Sequence, residues 1–171
     1  MLALSPSSIL TPQSLGPSGG GGFVPVLTGL TTGLAGSYSA ARQTVPEYTG
    51  SLIRVYNTTT TTQVDIPQVG GYLNETALLA ARASGQKLVI HTFYDQSGAG
   101  NNLVAADITK ALMIVDTSGN IQRLGRLPCG ITEADSTGLY VATLPTAHTG
   151  TAASGYAVGS YPNTSGIFGS Y

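Results

Sequence analysis

Any chemistry in this chain must come from a small set of side chains. Between Leu88 and Leu103 the sequence reads LVIHTFYDQSGAGNNL. Its polar half, Tyr94, Asp95, Gln96, Ser97, Gly98, Gly100, Asn101 and Asn102, gathers a carboxylate, several amides and a hydroxyl. Such a stretch suits either a structural corner or the rim of a binding site. Asp and Asn accept hydrogen bonds from nearby backbone N–H groups, and glycine supplies positive φ. One carboxylate among amides and a hydroxyl is too little charge for a calcium loop. Gly98-Ala99-Gly100 lacks the third glycine of a dinucleotide fingerprint and the lysine of a P-loop. No metal and no cofactor is expected.

Other acids and bases are sparse. Glu133 and Asp135 stand two apart, so an extended backbone would carry both on one face, about 6.5–7 Å apart. They lie in ITEADSTG, a turn-like stretch with no positioning motif. Asp65 and Asp95 could meet in space, but an Asp after a strand more often caps a turn. His91 within a strand and His148 in an uncharged tail lack a third partner for a Ser/His/Asp set or a metal site. Cys129 is the single cysteine, which excludes an intrachain disulfide and suits a small buried apolar residue. Tyr140, Tyr156, Tyr161 and Tyr171 could stack on sugar rings or pack at a subunit contact.

The elements that must position these groups follow from composition and spacing. Only 9% of the 171 residues are charged, the net charge is −1, and there are 23 glycines and no tryptophan. Short strands with many turns are expected, and neither nucleic acid nor an anionic membrane is indicated as a partner. No apolar run approaches a membrane span, and MLALSPSSIL lacks the basic start and apolar stretch of a signal peptide. No Asp, Glu, Lys or Arg precedes Arg42 or follows Asp135. Uncharged ends of this kind suit segments that pack on other subunits.

Along the chain, residues 1–22 form a Pro/Gly-rich arm. Gly19, Gly20, Gly21 and Gly22 make its hinge, and Phe23 begins an apolar stretch that Pro25 limits to an edge strand or extended arm. Gly36–Thr44 (GSYSAARQT) has the makings of a short helix capped by Ser37. LIRVY, Leu52–Tyr56, alternates like a strand; Thr58–Thr62 turns it into a hairpin returning through Val64 and Ile66. Asn74–Ala83 (NETALLAARA) is the clearest helix, with Asn74 as N-cap, Gly85 to end it, and Leu78 and Leu79 toward the core. Strands follow at Leu88–Phe93, Leu103–Ala106, Ala111–Val115, Ile121–Leu127 and Gly138–Leu144, with a turn at Thr117–Asn120. A β domain over 23–145 and an extended tail over 146–171 complete the division.

TGSLIRVYNTTTTTQVDI, then NETALLAARASG, then LVIHTFYDQSGAGNNL, in this order and spacing, resemble the N-terminal part of the catalytic β-sandwich of fungal-type α-L-arabinofuranosidase B. The likeness runs over about residues 36–128 and is most specific at Tyr94-Asp95-Gln96-Ser97-Gly98 with Gly100-Asn101. The resemblance implies a jelly-roll-like antiparallel sandwich, trimmed or completed by neighbours, with one short helix. Related modules occur in phage virion proteins. A retaining glycosidase needs two carboxyls roughly 5–5.5 Å apart. The family's pair lies downstream of the YDQSG segment and has no counterpart here, and the vicinal cysteines of the fungal enzymes are missing. The expectation is therefore not an enzyme. It is a phage virion protein, capsid-decorating or tail/fibre-associated, assembled in the host cytoplasm, that contacts other virion proteins and forms a homo-oligomer, with a trimer as one option. A carbohydrate-binding module of a receptor-reading fibre, with a glycan partner, is the alternative, and a degenerate glycosidase a more distant one. On this reading Tyr94–Asn101 is a structural corner with Asp95 bonding backbone amides.

Overall fold

Strands form where β-branched and aromatic residues cluster between turn-forming ones. The computed structural model describes residues 23–25, 27–28, 34, 36–133 and 140–141. Within them lie β1 (Ser51–Asn57), β2 (Gln63–Val69), β3 (Tyr72–Leu73), α1 (Glu75–Ala80), β4 (Leu88–Phe93), β5 (Leu103–Ala105), β6 (Met113–Val115), β7 (Arg123–Leu124), β8 (Leu127–Pro128) and β9 (Tyr140–Val141). Residues 1–22 with the Gly19–Gly22 hinge, Asp135, His148, Tyr156, Tyr161, Tyr171 and the 146–171 tail lie outside the described residues.

One antiparallel sheet runs in the order β3-β2-β1-β4-β5-β9, and β7–β8 form a separate hairpin. The far edge of β4 is divided: Thr92 and Phe93 pair with β5, whereas Leu88 and Val89 pair with β6. The mainly β, sandwich-like class with one short helix is the one expected from the sequence. Leu52, Ile53 and Val55 of β1, Ile66 of β2, Leu88 and Ile90 of β4, and Ile114 and Val115 of β6 form the core with Leu73 and Leu78. Leu52 and Ile53 are both buried because the β1–β2 register shifts between Ser51 and Ile53. That bulge gives two successive residues to one stretch of partner strand.

The β1–β2 turn is held by Asn57, whose Oδ1 accepts from the N–H groups of Thr59 (3.0 Å) and Thr60 (3.2 Å). Asn74 caps α1 by accepting from Ala77 N–H at 3.0 Å. The helix then stops at Ala80, and Gly85 lies farther on, in a turn, with φ +79°. A helix of six residues offers the core one face: Leu78 is fully buried, but Leu79 is 40% exposed, against the expectation for it.

Gly36–Thr44 is not a helix but an irregular segment with an isolated bridge from Arg42 to Tyr72. Its backbone groups bond to distant elements, not to each other at helical spacing. Ala41 C=O accepts from Leu73 N–H (2.9 Å), and Gln43 N–H donates to Gly71 C=O (2.7 Å). Phe23–Pro25 carries no strand. Ile121–Leu127 is not one strand: a bridge at Ile121 precedes the β7–β8 hairpin. Cys129 is only half-buried, and burial pushes its thiol pKa up.

Candidate functional site

The polar loop begins where β4 ends. Gly98 (φ +85°) and Gly100 (φ +78°) take backbone conformations that side chains disfavour, which allows the chain to wrap round Asp95. Asp95 is buried, and its carboxylate accepts three main-chain N–H bonds. Ser37 (3.0 Å) and Ser97 (2.8 Å) donate to Oδ1, and Asn101 (3.0 Å) donates to Oδ2. Its own N–H donates to Asn102 Oδ1 at 2.9 Å. Burial acts to raise its pKa, but hydrogen bonds from Ser97, Asn101 and Ser37 outweigh burial and hold the carboxyl below the usual carboxylate value. A carboxylate with lowered proton affinity is a weak general base near neutrality.

Gln96 is buried beside it and grips the same incoming segment. Its Oε1 accepts from Thr44 N–H (2.7 Å) and Thr44 Oγ1–H (3.1 Å), and its N–H donates to Ser37 C=O (2.8 Å). The Ser37 hydroxyl donates to Thr44 Oγ1 at 2.7 Å, and the Tyr38 hydroxyl donates to Asn101 C=O. Ser37, Tyr38 and Thr44 are the partners that sequence reasoning missed. Their signal was present only as polar residues inside a stretch of good helix formers. Beside the loop is an open concavity of about 340 Å³ lined by Val45, Glu47, Tyr48, Gln96, Ser97 and Gly98.

Tyr94, next to Asp95, belongs to a second cluster. Arg54 and Asp65 are directly opposed on β1 and β2 and form a forked pair: Nε to Oδ1 at 2.6 Å, Nη2 to Oδ2 at 3.0 Å. Tyr94 hydroxyl donates to Asp65 Oδ1 at 2.7 Å, and the Arg54 guanidinium lies 5.8 Å from the Tyr94 ring centre. The Arg54 hydrogen bond lowers the Asp65 pKa against the effect of burial. Burial first, then the bond to Asp65, push the Tyr94 hydroxyl up to about 12.

Asp65 and Asp95 thus have separate sets of partners. Glu133 pairs with Lys87 at 2.7 Å. His91 Nδ1 is 2.7 Å from Thr92 Oγ1, and burial, with the Arg54 charge, lowers its pKa. Tyr140, a candidate for stacking on sugar, is turned to internal work: its hydroxyl donates to Ile90 C=O (2.6 Å) and accepts from Leu112 N–H (3.1 Å). Among the described residues no three His, Cys, Asp or Glu side chains are grouped to hold a metal ion.

No family model matches the chain, and no curated protein matches it. Partial likeness exists to solved structures. A GH54 α-L-arabinofuranosidase soaked with a cyclic sulfate inhibitor is 24% identical over 47% of this chain and 17% of its own, with a TM-score of 0.41. An arabinofuranosidase complexed with arabinofuranosyl-α-1,2-xylobiose is 21% identical over 56% of this chain and 20% of its own, with a TM-score of 0.42. The chain therefore spans about a fifth or less of the length of these proteins.

Proposed function

We propose that this chain is a non-catalytic structural module of a phage virion, capsid-decorating or tail/fibre-associated, that acts by contact with other virion proteins and with copies of itself. The observation that carries the non-catalytic part is the state of Asp95. The carboxylate of the most distinctive loop accepts N–H bonds from Ser37, Ser97 and Asn101, so both of its oxygens are engaged within the fold. Tyr94–Asn101 then acts as a corner that fixes how residues 36–44 lie against β4. Function falls to surfaces, and the charge-free residues before Arg42 are the segment suited to reach a neighbour, in a trimer or larger ring. Deleting residues 1–22 should abolish incorporation into particles while the β-rich core still folds by circular dichroism. Normal incorporation of the shortened chain would overturn the assembly reading.

The alternative is a carbohydrate-binding module, and the Arg54–Asp65–Tyr94 cluster favours it. These side chains hold one another in place on an exposed face, with Arg54 38% and Asp65 44% exposed in their side chains. An aromatic ring beside a fixed donor–acceptor pair suits a sugar's apolar face and its hydroxyls. A glycan array distinguishes the two: binding lost on Tyr94→Ala would favour this module, and an array without binding would remove it.

A further inference from the structure

The open concavity beside the polar loop carries charge of one sign only. Of its lining residues, Val45, Glu47, Tyr48, Gln96, Ser97 and Gly98, none is a lysine, arginine or histidine. Glu47 is exposed, and its carboxylate makes no ion pair or hydrogen bond among the described residues. A second negative charge adjoins the lining, since Asp95 Oδ1 accepts from Ser97 N–H at 2.8 Å. The donors to Asp95 at Ser37, Ser97 and Asn101 are main-chain amides, which satisfy its lone pairs but leave its charge in place. No described lysine, arginine or histidine pairs with it. A buried charge without a counter-ion sends its field into the adjoining space. Burial, and after it the charges of Asp95 and Asp65, push the Tyr48 hydroxyl pKa up, so that field reaches the concavity's lining. The remaining lining is apolar and held in place. Val45 is buried, and the half-buried Tyr48 packs against the core with its hydroxyl donating to Ser51 C=O. Gly50 leaves room for that ring: an added Cβ would come within 2.7 Å of the Tyr48 hydroxyl oxygen.

We propose that this concavity receives a cationic side chain, an arginine or a lysine, from a partner protein. The inference rests on the assembly reading above for that partner being a virion component. Arginine and lysine join an apolar stem to a charged tip, which matches Val45 and the Tyr48 ring beside the Glu47 carboxylate. A cation near a tyrosine ring is drawn to its negative face, and the carboxylate adds a charge-assisted hydrogen bond. A metal ion fits less well, because hard cations need several oxygen ligands. Among the described residues no three His, Cys, Asp or Glu side chains are grouped to supply them.

The probes are butylguanidinium and butylammonium, which reproduce the two side-chain ends, with butylurea as the neutral control. Each is titrated into the full-length chain while the amide signals of Tyr48, Ser97 and Gly98 are followed by NMR. The cations should shift these signals saturably, more weakly at high salt, and butylurea should not. Glu47→Gln, at an exposed side chain, should weaken cation binding about fivefold, as for loss of one exposed ion pair. Signals that stay still, that respond equally to butylurea, or that respond unchanged in Glu47→Gln would overturn the proposal. In particles, Glu47→Lys should fold by circular dichroism and lose incorporation. Normal incorporation of Glu47→Lys, with loss on deletion of residues 1–22, would remove the partner contact and keep the assembly reading. Cation binding that Glu47→Gln weakens, with normal incorporation of the deletion, would keep the site and remove the assembly reading.

Discussion

Asp65 and Asp95 are two carboxylates reached from one turn of chain, and they are used in opposite ways. Tyr94 donates to Asp65, whereas the next residue, Asp95, turns inward to three main-chain N–H groups. Asp65 lies on the exposed face with side-chain partners, and Asp95 is 6% exposed with backbone partners. The difference teaches where a charge contributes to stability. An exposed forked pair competes with water and salt, but a buried acceptor is costly to remove because its donors lose a bond that the fold was built around.

The largest expected effect comes from removing the buried acceptor. Asp95→Ala should lower unfolding free energy by about 3 kcal/mol, the top of the range for leaving buried partners unpaired, as read from urea denaturation. A loss under about 1 kcal/mol would show that water replaces the carboxylate and would erase the contrast with Asp65. Acid comes second. Because the folded pKa of Asp95 is depressed, its contribution is present above the unfolded value of about 3.9 and is lost as pH falls through the folded value. Stability measured between pH 7 and pH 2.5 should therefore drop at the acid end, and the drop should shrink in Asp95→Asn.

Asp65→Ala should cost less than about 1 kcal/mol, and added salt should reduce that cost. A salt-independent loss as large as that of Asp95→Ala would place Asp65 in the structural class. Tyr94→Phe, which removes one hydroxyl and its bond to Asp65 and keeps the ring, should be smallest, within about 0.5 kcal/mol by thermal or chemical unfolding.

What was legible in the sequence was local. LIRVY with its threonine turn, the Asn74 cap and the Leu88–Phe93 strand depend on neighbours a few residues away, and they form as read. Ala40 and Ala41 favour a helix by propensity, with Ser37 placed to cap it, yet Asp95 and Gln96 bind the backbone at Ser37 and Thr44, on either side of the two alanines, and hold it irregular. Propensity is a weak prior against such distant partners. Leu79 had the right spacing but sits on a helix too short to cover both leucines. The Arg54–Asp65 pair becomes visible only once the hairpin register is known, and bulges in β1 and β4 shift that register on both sides. The contact of the Phe23 ring with Gly71, where an added Cβ would come within 2.2 Å of it, depends on a missing side chain, and Gly71 reads in sequence as an ordinary turn residue.

The span of the Asp95 and Gln96 bonds also bears on the order of events in folding. Asp95 reaches Ser37 across 58 positions and Gln96 reaches Thr44 across 52, whereas Arg54 and Asp65 are 11 apart. The entropy of closing a long loop must be met before its bonds form, so the β1–β2 hairpin should assemble early and the corner late. We therefore expect Asp95→Ala to accelerate unfolding while leaving the refolding rate nearly unchanged in a stopped-flow series. The corner would then govern how long the domain stays folded, not how quickly it gets there.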